Sequence, residues 1–323
     1  METEQADRAA SSGPVLEPPV FRPEDQRYHY GNYDMYYGYR CSGRGSAEVS
    51  DPRLGHMKRE WFEGKDCLDI GCNTGQITLA IARHFNPQSI VGIDIDHKLV
   101  RIANKNLFRQ QIPAVTPDGR AFPSSFTSMA PFSLLSSKIR SSRAASRVTS
   151  TPQPFPNNIS FSQENYVPQS EPDVEAVDQQ YDVILALSLT KWIHLNWGDA
   201  GLRRTFRKMF RQLRPGGRLL LEPQSFASYT KKKKLTPAIY QNYHTIEFQP
   251  SQFQAYLMSG EVGFTKHRFL GVPQHKAEGF RRPLHLYMKS KTSDYGSRGG
   301  GESSGKVGDQ ESVGGWRRRG RKE

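Results

Sequence analysis

The sequence contains little cysteine and no long apolar segment. Its three cysteines, Cys41, Cys67 and Cys72, form no Cys-x-x-Cys pair, and their odd number leaves at least one thiol unpaired. This pattern favours a reduced cytosolic or nuclear compartment over a disulfide framework. No run of about eighteen apolar residues is present, so we expect no membrane-spanning helix. The acidic, proline-rich N-terminus lacks the apolar core of a secretory signal, and we expect no such signal.

Two common kinds of catalytic constellation are also missing. The 9 histidines and 3 cysteines show no metal-ligand spacing, which predicts a protein without a metal site. No Ser/His/Asp set and no pair of acid–base carboxylates is recognisable. Basic residues outnumber acidic ones by 45 to 32, and the net charge of +13 favours an anionic partner, nucleic acid first. A basic surface that serves only solubility accounts for the charge equally well.

Composition divides the chain into one folded region and three polar additions. We expect a disordered leader over 1–26, a single catalytic domain over 27–289 and a disordered basic tail over 290–323. Within the domain, 111–156 is rich in Ser, Pro and Arg and lacks sustained periodicity, which predicts a flexible insertion.

Hydrophobic patterns inside the domain alternate between strands and helices. A strand at 66–70, a helix from Gly75, a strand at 90–95 and a helix over 97–108 open a doubly wound α/β sheet. The remaining predicted strands are 158–166, 181–189, 218–223 and 283–289, and the remaining predicted helices are 199–217, 236–243 and 250–258. The near-continuous apolar run at 181–189 is typical of a buried parallel strand.

A glycine turn follows the first strand, in the stretch CLDIGCNTGQITLAIA. A dinucleotide-binding turn reads G-x-G-x-x-G, whereas this turn has only Gly71 and Gly75, and Asp69 precedes it. Asp94 ends the second strand, where a carboxylate can accept both hydroxyls of a ribose, while Asp96 suits the cap of the next helix. Together these residues resemble class I S-adenosylmethionine (SAM)-dependent methyltransferases. That resemblance implies a Rossmann-like, doubly wound, mostly parallel seven-stranded sheet and SAM as cofactor.

Four further motifs resemble the Bicoid-interacting RNA methyltransferases. They are YGNYDMYYGYR (30–40), SLTKWIHLNWGDAGL (188–202), LRPGGRLLLEPQ (213–224) and GFRRPLHLY (279–287). The likeness covers roughly 27–110 and 157–289. It implies methylation of the γ-phosphate of an RNA 5′-triphosphate, such as a 7SK-like small nuclear RNA, to leave a monomethyl phosphate cap. It also implies a nuclear, monomeric enzyme with a La-related protein as a possible partner.

The resemblance assigns site residues by their positions in this sequence. The cofactor contacts that it implies are Tyr36 or Tyr37, Arg53, Gly71, Asp94, Ile95, Asn165, Tyr166 and Leu187. The phosphate end falls between Lys191 and His194, with the upstream tyrosines closing over it. We therefore expect Lys191, His194 and Tyr36 to act in catalysis.

The chemistry requires no dedicated base. A terminal phosphate has a second pKa of about 6, so its oxygen is already largely anionic at neutral pH, and catalysis consists mainly of positioning and charge stabilisation. Lys191 and His194 are expected to hold the phosphates, with Glu222 orienting one of them. Arg53 is expected beside the phosphates or on the cofactor carboxylate.

Several interpretations stay open at this stage. Trp192 and Trp197 could pack in the core or stack on a base, and the tyrosines of 28–39 could form a lid or a packing arm. Lys231–Lys234 is expected to meet RNA phosphate, and the basic tail to act in nuclear import or RNA binding. Two other functions compete: methylation of RNA 5′-monophosphates, and a non-catalytic RNA-binding scaffold.

Overall fold

The computed structural model describes residues 19–41, 51–111 and 153–291. Most of the predicted leader, most of the predicted insertion and all but the first two residues of the predicted tail lie outside these ranges. A short helix, α1 (Pro23–Gln26), forms inside the segment predicted as a leader. None of the helices in the described part of the chain has the length and apolar character needed to span a membrane.

One mixed sheet organises the described residues. Its strands are β1 (Asp66–Ile70), β2 (Ser89–Asp94), β3 (Ile159–Gln163), β4 (Tyr181–Leu187), β5 (Leu213–Glu222), β6 (Lys266–Gly271) and β7 (Leu284–Met288). They lie in the order β3-β2-β1-β4-β5-β7-β6. The first five are parallel, and β7 runs antiparallel to both β5 and β6. The predicted seven-stranded, mostly parallel sheet is therefore confirmed.

Helices cover both faces of this sheet. After α1 they are α2 (Tyr36–Arg40), α3 (Gln76–His84), α4 (His97–Gln111), α5 (Glu171–Glu175), α6 (Thr190–Gln212), α7 (Ala227–Thr230), α8 (Pro237–Thr245) and α9 (Phe253–Met258). In β4, Val183 and Leu185 join one core cluster while Ile184 and Ala186 join the other. Because both faces of the strand are buried, its sequence is continuously apolar instead of alternating.

The third helix of the sequence prediction differs most from the structure. The predicted strand at 181–189 ends at Leu187, and the helix predicted over 199–217 already begins at Thr190, so the KWIHLNW block is helical. Gly198 interrupts α6 with φ 61° and ψ −169°, a conformation open essentially to glycine alone. The helix ends at Gln212, before the predicted Pro-Gly-Gly stop, because Leu213 already pairs with Tyr181 as part of β5.

Candidate active site

A pocket of about 270 Å³ opens where β1, β2 and β4 end. Asp69 and Ile70, Ile93 and Asp94, and Leu187 line it from these three strands. The tyrosine-rich segment 30–37 closes its outer side. The carboxyl ends of parallel strands are the usual place for ligands in open α/β sheets.

Two buried carboxylates form what we term the acidic side of the pocket, Asp69 and Asp94. Asp94 accepts the backbone N–H groups of Asn73 and Asp96, each at 2.9 Å and each on a different oxygen. Burial raises the pKa of Asp94. Since a carboxylate oxygen can accept more than one hydrogen bond, both oxygens keep capacity for the two hydroxyls of a ribose.

Asp69 is the second carboxylate of the acidic side. Its Oδ2 accepts the hydroxyl of Thr78 at 2.6 Å, and burial raises its pKa to about 6. Among the described residues no Lys or Arg forms an ion pair with Asp69, so the carboxylate is available to an ammonium group of a ligand. Gly71 follows with φ +72°, and a Cβ there would lie 3.0 Å from Leu189 Cδ1. The positive φ favours glycine here, and a Cβ would in addition require the Leu189 side chain to shift slightly.

The tyrosine-rich segment crosses directly over this turn. Asn73 Nδ2 donates to the carbonyl of Tyr33 at 3.0 Å, and Asn32 Nδ2 donates to Asp96 Oδ2 at 2.5 Å. Two buried oxygens of the pocket lining, Asn32 Oδ1 and Tyr33 OH, have no hydrogen-bond partner among the described residues. Together with the carboxylates, these oxygens form an acceptor-rich cradle that fits the hydroxyl and ammonium donors of SAM. The sequence motif included Asn32 but did not identify it as a site residue.

Three cationic side chains, Lys191, Lys232 and Arg282, form what we term the basic side of the same pocket. Within the described ranges none of the three has an ion-pair partner. Lys191 Nζ lies over the Trp192 ring, 4.8 Å from its centroid, and Lys232 Nζ lies 5.2 Å from that of Tyr33. Burial, reinforced by Arg282 and Lys232, lowers the pKa of Lys191 to about 7. Such a cluster of uncompensated positive charge is suited to a phosphate group.

A buried ionic network lies between the two sides. Glu222 accepts Arg40 Nη2 at 2.5 Å and Arg53 Nη1 at 3.1 Å, and Arg53 also pairs with Asp51 at 2.6 Å. The Tyr36 hydroxyl accepts from Arg40 Nη1 at 2.8 Å. Glu222 was predicted to orient Lys191 or His194, but its carboxylate contacts neither of them and holds the two arginines and the hydroxyl of Ser188 instead.

Most of the predicted site residues meet in this pocket. Those that line it are Tyr36, Tyr37, Arg53, Gly71, Asp94, Ile95, Asn165, Tyr166, Leu187 and Lys191. Trp192 and Trp197 line it as well, and both also contact the tyrosine-rich segment: Trp197 stacks on Tyr30 at 5.7 Å between centroids. Each tryptophan thus combines packing with access to a ligand.

His194 does not line the pocket. The sequence placed it at the end of a strand, but it lies inside α6, fully buried. Its Nε2 is 2.6 Å from Asp199 Oδ1, and burial lowers its pKa, so a neutral imidazole donates this hydrogen bond. Lys191, three positions earlier on the same helix, borders the pocket, whereas the His194 ring packs against Tyr229, Phe248 and Phe253.

Comparison with known proteins gives consistent matches. Residues 181–289 match the family described as Bicoid-interacting protein 3 (Bin3), and residues 67–138 match a methyltransferase domain. The chain is 40% identical over 289 residues to the 7SK snRNA methylphosphate capping enzyme of Homo sapiens, covering 85% of this chain and 41% of that protein. It is 37% identical over 299 residues to the U6 snRNA methylphosphate capping enzyme Amus of Drosophila melanogaster, covering 90% and 87%. The Mus musculus 7SK enzyme is 41% identical, with 85% and 43% covered, so the chain spans about two fifths of these mammalian relatives.

Proposed function

The chain belongs to the Bin3 family of methyltransferases, and on this premise we propose that it methylates the terminal phosphate of an RNA 5′-triphosphate, using SAM. The observation that carries the proposal is the meeting of the acidic and basic sides in one pocket. A methyl donor with ribose and ammonium groups suits the acidic side, and a polyphosphate suits the basic side. The names of the human, mouse and Drosophila relatives point to the same methylphosphate product.

The cofactor residues act by binding and orientation. Asp94 accepts the ribose hydroxyls, Asp69 accepts the ammonium group, and Gly71 lets the backbone approach the ligand. When bound, SAM supplies an electrophilic methyl group on its sulfonium. Asn32 and Tyr33 close over the ligand from the N-terminal segment and exclude water from this part of the pocket.

The phosphate residues act through charge. A terminal phosphate oxygen is largely anionic at neutral pH, since its second pKa is about 6, so the reaction needs no side chain to remove a proton. Lys191, Lys232 and Arg282 hold the phosphates and neutralise their repulsion. The Tyr36 hydroxyl is oriented by Arg40 and Ser188, at 2.8 Å and 3.1 Å, and it borders the same space.

The substrate under this proposal is a small nuclear RNA of the 7SK or U6 kind, which places the protein in the nucleus. The relatives named for these two RNAs are both methylphosphate capping enzymes, and the basic side of the pocket suits a terminal phosphate. A La-related partner and a monomeric state remain predictions from the family resemblance.

Methyl transfer to one short RNA with three different 5′ ends tests the proposal. Labelled SAM is offered with the RNA as 5′-triphosphate, 5′-monophosphate and 5′-hydroxyl. We expect label on the triphosphate alone, resistant to alkaline phosphatase and released by a pyrophosphatase that cleaves the phosphoanhydride bonds. Label on the monophosphate alone would contradict the proposed substrate. The absence of label from all three, with SAM bound by calorimetry, would favour an RNA-binding scaffold instead.

A further inference from the structure

The chain turns sharply between β4 and α6, directly beside the pocket. Ser188 occupies this turn with φ 61°, in the left-handed region that residues with a Cβ adopt rarely. Such a conformation persists only where surrounding contacts determine it. The end of β5 supplies those contacts.

Glu222 and Gln224 hold Ser188 from two directions. The backbone N–H of Ser188 donates to the carbonyl of Glu222 at 3.0 Å, and its hydroxyl donates to the Glu222 carboxylate. The side-chain amide of Gln224 donates to the carbonyl of Ser188. All three polar groups of the turn residue are therefore fixed by the neighbouring strand.

Gln224 also caps the N-terminus of α6. The residue at the N-cap position, Leu189, has no side chain that could accept a hydrogen bond. Gln224 Oε1 accepts the backbone N–H of Lys191 at 3.1 Å and the hydroxyl of Thr190 at 3.0 Å. One buried carboxamide, 2% exposed, thus joins the turn to the first turn of the helix.

Lys191 depends on this backbone for its position in the pocket. The charged groups that act on it, within the part of the chain that the structure describes, are Arg282 and Lys232, both of which repel it. None of the carboxylates in the described ranges pairs with its ammonium group, and the Trp192 ring gives a contact that is weakly directional. The backbone of its own helical turn therefore determines where the Lys191 side chain enters the pocket.

We propose that Gln224 is a positioning residue that fixes the Ser188 turn and the start of α6, and thereby the place of Lys191 Nζ in the pocket. The inference rests on the proposed function, in which Lys191 holds the terminal phosphate. A displacement of about 1 Å at a reacting group can cost on the order of 100-fold in rate. Gln224 borders the pocket, but its Oε1 and Nε2 already bind Thr190, Lys191 and Ser188, so this effect needs no contact with the substrate.

A matched pair of variants, Gln224→Met and Asn158→Leu, tests the inference. Both replace a buried carboxamide by an apolar side chain of similar size; Asn158 Nδ2 donates to the carbonyls of Ala82 and Pro87 and does not line the pocket. We expect Gln224→Met to weaken binding of inorganic tripolyphosphate about tenfold or more, with SAM affinity within about twofold of wild type. Asn158→Leu should lower thermal stability and leave tripolyphosphate binding unchanged. Wild-type tripolyphosphate affinity in Gln224→Met would overturn the inference.

Gln224→Glu adds a readout that a purely structural role would not move. The carboxylate retains an acceptor for Thr190 and Lys191, loses the donor to Ser188 and places a negative charge near the lysine. We expect the titration midpoint of Lys191, followed by NMR on lysine-labelled protein, to move upward. An unchanged midpoint would show that the side chain at position 224 does not act on Lys191, and would contradict the inference.

The two proposals fail in distinguishable ways. If wild-type protein methylates none of the three RNAs but Gln224→Met still weakens tripolyphosphate binding, the proposed function fails and the positioning role stands. If RNA 5′-triphosphate is methylated, and Gln224→Met matches wild type in both rate and tripolyphosphate binding, only the positioning role is overturned.

Discussion

The acidic and basic sides of the pocket are built in different ways. The acidic side comes from one short stretch of chain, 66–94, which contains β1, the glycine turn, α3 and β2 in succession. Its carboxylates are short side chains held by backbone N–H groups and the Thr78 hydroxyl. The basic side draws its cations from three segments that are distant in sequence. Lys191 lies on α6, Lys232 lies in the loop that follows α7, and Arg282 lies just before β7.

This difference determines how firmly each side is preorganised. A short carboxylate with two backbone donors has little freedom left to lose when a ligand binds. Lys191 and Lys232 are long side chains over aromatic rings, and ordering each of them costs up to about 2 kcal/mol of rotamer entropy. Cofactor binding at the acidic side should therefore be sensitive to the loss of a single acceptor. Phosphate binding at the basic side should be sensitive to small displacements of its cations and to pH.

Removal of Asp94 should give the largest effect on cofactor binding. Asp94→Ala deletes the proposed acceptor of two ribose hydroxyls and frees the N–H of Asn73, so SAM affinity should fall about 100-fold or more, which corresponds to about 3 kcal/mol. Calorimetry with SAM measures the change directly.

The matched control for Asp94→Ala is Asp173→Ala. Asp173 accepts the backbone N–H of Ser170 at the start of α5 and does not line the pocket. The control makes the same change in net charge and should leave SAM affinity within about twofold. Equal SAM affinity in the two variants would remove Asp94 from the cofactor site.

The basic side should respond to pH through Lys191. Its pKa is lowered to about 7 in the free protein, so the ammonium is present below pH 7 and is lost as the pH rises through that value. Tripolyphosphate affinity should therefore decline above pH 7, by at most about tenfold per pH unit for one proton. Bound phosphate stabilises the charged lysine and so raises its pKa in the complex. The decline in affinity therefore begins at the pKa of the free protein and ends at the higher pKa of the complex. Titrations of affinity between pH 6 and pH 9, about one unit below and two above that pKa, measure the effect.

Two variants separate the charge of Lys191 from its proton. Lys191→Arg keeps a positive charge throughout this range and should flatten the decline, whereas Lys191→Met should bind weakly at every pH and lower turnover, with SAM affinity retained. Lys289→Met removes a half-buried lysine that donates to Phe210 and Leu213 outside the pocket and should keep the wild-type profile. A decline that persists in Lys191→Arg would assign the titration to another group.

The same contrast explains what could be predicted from the sequence. The acidic side was accessible because a strand, a glycine turn and a second strand with a terminal acid form a local pattern. The network of Arg40, Arg53, Asp51 and Glu222 was not, because Arg40 and Glu222 are 182 positions apart and only the folded sheet joins them. Strand β6 was missed because it is an edge strand with exposed Lys266 and Arg268, and it carries little of the apolar signal of a buried strand.

The beginning of α6 was missed for a related reason. The run TKWIHLNW follows an apolar strand without a cap residue of its own, and the cap comes from Gln224 on β5. With this segment placed at a strand end, His194 seemed to project into the site beside Lys191. In the structure Lys191 borders the pocket, whereas His194 is held among Tyr229, Phe248 and Phe253 and bonded to Asp199, contacts that form only in the folded chain.

His194 therefore offers the smallest expected effect on catalysis. His194→Ala removes the neutral imidazole that donates to Asp199, whose other oxygen accepts the N–H groups of Glu247 and Phe248. The free energy of unfolding should fall by about 2–3 kcal/mol, because a buried cavity is left and an acceptor loses its donor. Turnover on RNA should stay within about twofold of wild type below the unfolding temperature, since the imidazole does not reach the pocket. Denaturant unfolding and single-turnover kinetics on the same preparation measure both quantities. A folded His194→Ala variant whose turnover is reduced as far as that of Lys191→Met would show that His194 acts in catalysis. That result would contradict its position outside the pocket.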